Sequence, residues 1–289
     1  MEAPVRRLAF ISALFTLLYL KISVAGVLDY SCSSKTLNGV NFKYCINQVD
    51  RTRNQDIVYF FHGISANAES WFNKGDTRSI SKRWLLKGYE PTVITISFGP
   101  AWMLVDNNKA KTLPLFRDHI LPFLENEVGG LGQGRRMLIG QSMGGFNAAE
   151  ATLRMPGYFS KALLLCPALS VIGPYSSNQD IADYKRRTGA ESFLVDSLID
   201  ISKNYIVDAD DWDHHDPLKL PASYPQGISK PLYYVSTGRG DNFGFQEGSE
   251  LFVNITKKYS FQAQWAPVFG YHCSFNRQGA SDFIRGVSK

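Results

Sequence analysis

The sequence lacks the features that mark several large classes of protein. Its mean hydropathy is −0.16, which excludes a bundle of membrane spans. It has no phosphate-cradling or dinucleotide-binding fingerprint, no internal repeat and no low-complexity tract. The net charge is +5 over 289 residues, and the first 25 residues hold +2 of it, too little for a nucleic-acid partner. With 44% apolar and 20% charged residues, the composition is that of an ordinary globular chain with a sizeable core.

Metal-binding patterns are missing as well. His214 and His215 stand beside Asp213 and Asp216, but they lack the helical i, i+4 spacing typical of zinc sites. The sequence therefore predicts no metal and no cofactor.

The N-terminus has the pattern of an export signal. Arg6 and Arg7 precede a mostly apolar run of 13 residues, and Ser23 and Ala25 are the small residues that a signal peptidase prefers before its cut. The apolar run is shorter than the ~20 residues that a transmembrane helix needs. We expect residues 1–25 to be a signal peptide; an uncleaved membrane anchor is the alternative. In either case the folded part is exported, and no stable membrane insertion is expected after cleavage.

Two of the four cysteines are spaced to form a disulfide. The dipeptide Asn38-Gly39 is the strongest short signal for a hairpin turn. Counting outward from that turn places Cys32 directly opposite Cys45, at a separation that a disulfide can bridge; coincidental spacing is the alternative. Cys166 follows an apolar run and is expected to be a buried thiol.

Strand-like apolar runs alternate with helical patterns after the hairpin. The predicted strands are residues 56–61, 91–97, 137–139, 162–165 and 231–236, and the predicted helices are 116–128, 147–155 and 282–287. This alternation predicts an α/β fold, with a mostly parallel central sheet covered by helices on both faces. Residues 26–289 form a single domain in this interpretation. Residues 170–230 do not follow this alternation of strands and helices, and we expect them to be an irregular cap inserted between two core strands.

A G-x-S-x-G motif occupies residues 140–144 and points to chemistry. It follows the predicted strand 137–139 and opens a helix that begins near Met143. A sharp strand-to-helix turn lifts the serine hydroxyl above the sheet, and the flanking glycines remove side-chain clashes. We therefore predict Ser142 as a nucleophile; a glycine-rich turn without chemistry is the alternative.

A serine nucleophile needs a base. Five histidines are candidates: His62, His119, His214, His215 and His272. The chain order of this arrangement is serine, acid, histidine. Only the last histidine follows the final strand-like segment, residues 261–268, where a loop can return to the serine. Of the others, the two in the cap are expected to be solvated, the one at 119 to lie on the polar side of a helix, and the one at 62 to brace a loop.

The acid should follow an earlier strand. Asp241 lies in the loop that leaves the strand 231–236, and the 31 residues before His272 leave room for a helix and a strand. The residue could also be a simple turn aspartate. The other candidates are the aspartates of the cap: Asp208, Asp210, Asp211, Asp213 and Asp216.

An oxyanion hole must complete such a site. One donor is expected to be the backbone N–H of Met143, the residue after the nucleophile. The other should come from the loop after Phe61, where Ile64 is favoured and Gly63 is next.

Three stretches of this sequence resemble the esterase D-like branch of the α/β-hydrolases. They are residues 58–63 (VYFFHG), 116–123 (FRDHILPF) and 137–149 (MLIGQSMGGFNAA). The branch includes S-formylglutathione hydrolase, feruloyl and acetyl-xylan esterases, and the secreted mycolyltransferases. The resemblance covers roughly residues 50–285. It implies the α/β-hydrolase fold, with the nucleophile at Ser142, the base at His272 and the acid at Asp241. Gln141 departs from the histidine that is common before the serine.

The resemblance also implies a function. We expect a serine carboxylic ester hydrolase that acts through an acyl-enzyme on a small-molecule or carbohydrate-linked ester, in the periplasm or the medium. The alternatives are an acyltransferase of the same fold and, in another class, a catalytically inactive binding member. Aromatic residues near the predicted mouth would suit an apolar or sugar-stacking cleft, although core packing explains most such residues. They are Trp71, Phe98, Trp102 and Trp212.

Overall fold

A computed structural model describes residues 29–100 and 104–286 of the chain, so the predicted signal peptide at residues 1–25 lies outside the described part. Eight strands form one sheet in the order β1-β2-β4-β3-β5-β6-β7-β8. Their bounds are β1 Tyr30–Leu37, β2 Val40–Asn47, β3 Ile57–Phe61, β4 Thr92–Ser97, β5 Arg136–Gln141, β6 Lys161–Leu165, β7 Leu232–Ser236 and β8 Ala263–Trp265. The pairs β1–β2 and β2–β4 are antiparallel, and the remaining pairs are parallel. This is the mostly parallel sheet that the sequence predicts.

Helices connect the strands. Their bounds are α1 Ser70–Asn73, α2 Gly75–Leu85, α3 Thr112–Leu115, α4 Leu121–Glu127, α5 Met143–Arg154, α6 Asn178–Thr188, α7 Ser192–Lys203, α8 Ala209–His215, α9 Phe245–Lys258 and α10 Arg277–Arg285. A π-helical turn, Phe116–Ile120, joins α3 to α4. None of the helices in the described ranges is long and apolar enough to cross a membrane.

Alternate residues of the central strands pack on opposite faces of the sheet. In β3, Tyr59 and Phe61 join the core on the face covered by α5 and α9, while Val58 and Phe60 join the core on the face covered by α2 and α10. Both faces of a parallel strand are therefore buried, which is why these strands are continuous apolar runs in the sequence.

The N-terminal hairpin has the predicted register. Leu37 faces Val40, and the pairing continues outward to Cys32 opposite Cys45. The two cysteines are joined in a disulfide, with 4.0 Å between their Cα atoms. The bond links β1, the outermost strand, to its neighbour at the sheet edge.

Replacing both cysteines of the hairpin, Cys32→Ala with Cys45→Ala, is expected to lower stability and leave catalysis unchanged. Chain entropy assigns about 3 kcal/mol to closing a loop of this length. That corresponds to a fall in the melting temperature of roughly 6–12 °C for a domain of this size. Thermal unfolding followed by circular dichroism measures the shift, and ester hydrolysis at room temperature provides the control. An unchanged melting temperature would contradict a stabilising role for the bond.

Two segments differ in detail from the prediction. The single helix expected over residues 116–128 is part of a longer helical stretch that contains the π-helical turn. Pro122, at the start of α4, has no N–H to donate to the preceding turn, which fits a break in the regular pattern there. The insertion between β6 and β7 is more regular than expected, because α6, α7 and α8 make up nearly half of it. The sequence does not predict these helices, because the aspartates that suggest an irregular segment serve as helix caps and ion-pair partners.

Candidate active site

Ser142 stands at the sharp turn between β5 and α5. Its backbone has φ 54° and ψ −118°, a region that residues with a side chain rarely adopt. Such a conformation costs on the order of 1–3 kcal/mol and persists only where the surroundings hold it. The flanking glycines are needed here, because a Cβ on Gly140 would overlap the carbonyl of Gly144, and a Cβ on Gly144 would overlap that of Phe61.

The segment after β6 holds both sides of this turn. The N–H of Ser142 donates to the carbonyl of Leu165 at 3.0 Å, and the N–H of Ala168 donates to the carbonyl of Ser142 at 2.9 Å. Gly145, in the first turn of α5, packs so closely on Pro167 that a side chain would not fit. The backbone of Ser142 is thus fixed by the segment 165–168 as well as by β5 and α5.

Three side chains far apart in the sequence meet at this turn. The Nδ1 atom of His272 lies 2.7 Å from Oδ2 of Asp241, and its Nε2 atom lies 2.9 Å from Oγ of Ser142. A carboxylate can only accept, so Nδ1 carries the proton and Nε2 is left to accept from the serine hydroxyl. The arrangement can therefore remove the proton of Ser142 and return it to another atom.

Asp241 is rigidly placed. Its side chain is buried, and its Oδ1 atom accepts from the N–H of Phe243 at 2.9 Å. The rings of Phe243 and Phe245 lie 4.7 and 5.6 Å from the imidazole of His272, which packs that ring from two directions. The loops that carry Asp241 and His272 are also paired, because the N–H of Gly240 donates to the carbonyl of Gly270 at 2.9 Å.

The loop after β3 closes the other side of the site. Gly63 lies so near Ser142 that a Cβ on the glycine would stand 3.3 Å from Cβ of the serine. The buried His62 ring shapes this loop: its Nδ1 donates to the carbonyl of Gly63, and its Nε2 accepts from the hydroxyl of Ser97, both at 2.7 Å. Burial lowers the pKa of His62, which keeps the ring neutral.

A sequence profile of the family described as "Putative esterase" matches residues 39–285, most of the chain and all of the residues of this site. The chain belongs to this esterase family. It is a carboxylic ester hydrolase with the α/β-hydrolase fold that the resemblance implied.

Solved structures of esterases share this fold. A ferulic acid esterase superposes with a TM-score of 0.64 at 14% identity, covering 89% of this chain and 94% of its own. An S-formylglutathione hydrolase from Agrobacterium tumefaciens gives 0.58 at 14%, covering 88% and 91%. An arylesterase gives 0.60 at 16%, covering 93% and 89%. No curated protein matches the sequence.

Three of the cap aspartates that were considered as alternative acids make other contacts in the esterase. Asp208 caps α8 by accepting from the N–H of Asp211 at 2.8 Å, and Asp213 pairs with Lys219. Asp216 is buried and accepts from the N–H of Leu218 at 2.9 Å. None of these contacts involves His272.

The histidine at position 215 contradicts the sequence-based expectation of a solvated residue. His214 is exposed, but His215 is buried, and its Nδ1 atom donates to Oε1 of Glu150 on α5. Burial raises the pKa of Glu150. The pair links the cap helix α8 to α5, the helix that follows Ser142. The sequence signal that could have found this pair is Glu150, the one acidic residue of α5.

Cys166 is another correction, because it is not a free thiol. It forms a disulfide with Cys273, the residue after His272, 107 positions along the chain. The ligand atoms of these two cysteines and of His272 lie within 4.8 Å of one another. Sulfur atoms joined to each other are not thiolate ligands, and Nε2 of the histidine faces the serine hydroxyl, so this cluster does not suit a metal ion.

The expected aromatic mouth is only partly present. Trp71 is fully buried and stacks on Trp84 in the core beneath the sheet, so it cannot line a cleft. Trp212 stacks on Phe146 of α5, with 5.8 Å between ring centroids. The expected Trp102 lies outside the described residues.

Asp241→Asn is expected to lower kcat by about 10⁴-fold, because an amide in that place no longer fixes the histidine tautomer or stabilises the imidazolium. Asp216→Asn is the matched control, since that aspartate is also buried. The amide oxygen of asparagine can still accept from the N–H of Leu218, and burial already disfavours the charged form by raising the pKa of Asp216 to about 6. Steady-state hydrolysis of a p-nitrophenyl ester compares the two. A larger loss in Asp216→Asn would move the acid into the cap.

Proposed function

We propose that the esterase is an exported serine hydrolase that cleaves its ester through an acyl-enzyme on Ser142. The observation that carries this proposal is the unbroken chain of hydrogen bonds from Asp241 through His272 to Ser142. It ends on a strained serine at the start of a helix, where developing negative charge is favoured.

The three hydrogen-bonded residues have different roles in the reaction. His272 accepts the serine proton while Oγ attacks the ester carbonyl, and Asp241 stabilises the imidazolium that forms. The imidazolium then protonates the departing alcohol, which leaves an acyl group on Ser142. Water, activated by the same imidazole, releases the acid and restores the serine.

The tetrahedral oxyanion is stabilised by backbone N–H groups. Met143 opens α5, and the first N–H groups of a helix have no partner within it. The second donor is the N–H of Ile64, with that of Gly63 next. The carbonyl of Gly63 accepts from Nδ1 of His62 and from the N–H of Ala66, at 2.7 and 3.0 Å. Because the N–H of Ile64 belongs to the same trans peptide and points the opposite way, these bonds fix its direction.

A fluorophosphonate probe tests the nucleophile directly. We expect one equivalent of probe to be incorporated, with loss of esterase activity, and peptide mapping to place the adduct on Ser142. Pre-steady-state hydrolysis of a p-nitrophenyl ester should show a burst of nitrophenol where deacylation is the slower step. An adduct on another serine, or activity that survives full labelling, would contradict the proposal.

The substrate is proposed to be a small-molecule or carbohydrate-linked ester. Phe269 and Tyr271, on the loop that carries His272, are largely exposed, and such rings can stack on an aromatic or sugar ring. A screen of p-nitrophenyl esters of graded acyl length against feruloyl and acetyl-sugar esters identifies the preferred acyl group. Equal rates across the whole set would contradict recognition by these rings.

Export is supported by two disulfides, since such bonds persist in oxidising compartments. Peptide mapping of non-reduced protein from its native compartment should find Cys32 joined to Cys45. Free thiols at both positions would count against export.

A further inference from the structure

The disulfide between Cys166 and Cys273 joins the two halves of the active site. Cys273 is the next residue after His272, and its Sγ atom lies 3.6 Å from Nε2 of that histidine. Cys166 follows β6 within the segment whose neighbours, Leu165 and Ala168, bond both sides of Ser142. A single covalent bond therefore connects the base's loop to the segment that holds the nucleophile.

The ring of His272 contacts Asp241, Phe243 and Phe245, and the main-chain anchors of its loop lie to either side of it. Before it, Gly270 is paired with the acid loop, and after it the N–H of Asn276 donates to the hydroxyl of Ser236 at 2.8 Å. Between these two anchors Tyr271 is 75% exposed and His272 is partly exposed. The covalent attachment at Cys273 falls in the middle of this span.

Both half-cystines have a strained backbone. Cys166 has φ 41° and Cys273 has φ 62°, in the left-handed region that residues with a side chain avoid. Such conformations persist where the surrounding structure over-determines them. Without the bond, each residue loses one of the constraints that hold it at positive φ, and a change of φ at Cys273 would move the adjoining histidine.

Oxidation also removes a competing group beside the base. A free thiol at Cys273 could give its proton to Nε2 of His272 and form a thiolate–imidazolium pair, as in sites where a cysteine stands next to a histidine. The imidazole would then be protonated and could not accept from Ser142. A disulfide sulfur has no proton to give.

We propose that the Cys166–Cys273 disulfide is a positioning element that keeps His272 in line with Ser142, so that hydrolysis depends on the redox state of this bond. The inference rests on the proposed role of His272. A dithiol reduces the bond in two steps. Its thiolate attacks one cystine sulfur and releases the other as a thiolate, which leaves a mixed disulfide between the reagent and the protein. The reagent's second thiol then attacks its own sulfur in that mixed disulfide, so the protein carries two thiols and the reagent becomes a cyclic disulfide.

The test uses the two disulfides as matched controls. The variant Cys166→Ala with Cys273→Ala is expected to lose about 10- to 100-fold in kcat with KM little changed, the scale of an ångström-sized misplacement of a catalytic group. The variant Cys32→Ala with Cys45→Ala removes the same number of cysteines far along the chain from the nucleophile and should keep native kcat. If the disulfides act on stability alone, both double-alanine variants will have a lower melting temperature and both will keep native kcat.

A second measurement avoids dependence on one variant's folding. In the Cys32→Ala, Cys45→Ala background, dithiothreitol can reduce only the bond beside the base, and mass spectrometry after alkylation counts the freed thiols. We expect kcat to fall on reduction and to return on reoxidation. Native kcat in protein shown to carry both thiols, or in the folded double alanine variant, overturns the proposal. His272→Ala separates the two failures: if that variant is active, the proposed function is wrong, whereas an inactive one leaves only the positioning role refuted.

Discussion

Ser142→Ala is expected to lower kcat by about 10⁶-fold, the scale of losing the nucleophile from a triad that acts as a unit. The hydroxyl is the only atom removed, and its partner is Nε2 of His272 at 2.9 Å. The backbone at φ 54° is as demanding for alanine as for serine, so the fold should survive. Residual hydrolysis above the rate in water would reflect the oxyanion donors and substrate binding, which the substitution leaves in place.

The measurement combines activity with an independent check of folding. Hydrolysis of a p-nitrophenyl ester gives kcat, the fluorophosphonate probe should no longer label the protein, and thermal unfolding should remain close to native. Ser34→Ala is the control, because that serine is exposed on β1, at the far edge of the sheet from β6 to β8. Near-native turnover in Ser142→Ala would mean that another residue is the nucleophile.

The parts of the fold that the sequence predicts best are those specified by short-range patterns. The turn at Asn38-Gly39 sets the register of the hairpin, because every pair outward follows from that one position. The elbow around Ser142 is predicted for a similar reason: glycines at 140 and 144 are needed where backbones nearly touch, and both stand next to the residue they serve. Local steric requirements can therefore be recognised in the sequence, because they place particular residues at fixed spacing.

Pairings between residues far apart in the chain have no comparable local sequence pattern. Nothing near Cys166 indicates a partner 107 residues away, and an apolar run before a cysteine fits a buried thiol equally well. The adjacent histidines at 214 and 215 show the same difficulty, since only the helix phase of α8 decides that the second one turns inward to Glu150. That phase depends on how the cap packs on α5, which the acidic sequence of the cap does not reveal.

The assignment of the base used chain order, and the structure shows why order is informative. Parallel strands end at the same edge of a sheet, so the loops after β5, β7 and β8 converge there. Ser142, Asp241 and His272 follow these three strands in turn. His62 follows β3 at the same edge, but its two ring nitrogens are both used within its own loop and with Ser97. Sequence position brings both histidines to the site, and hydrogen bonding separates their roles.

His272→Ala is expected to be about as damaging as Ser142→Ala, near 10⁶-fold in kcat, because the serine hydroxyl loses its only acceptor among the triad and the departing alcohol loses its proton donor. His119→Ala is the control, since that histidine is exposed on the π-helical turn. The sharper test is the double variant. If the serine and histidine act as a unit, removing both costs little more than removing either, so the two effects do not multiply. A double variant far below either single one would show that the two residues contribute independently, and the hydrogen bond between them would then not be the path of the proton.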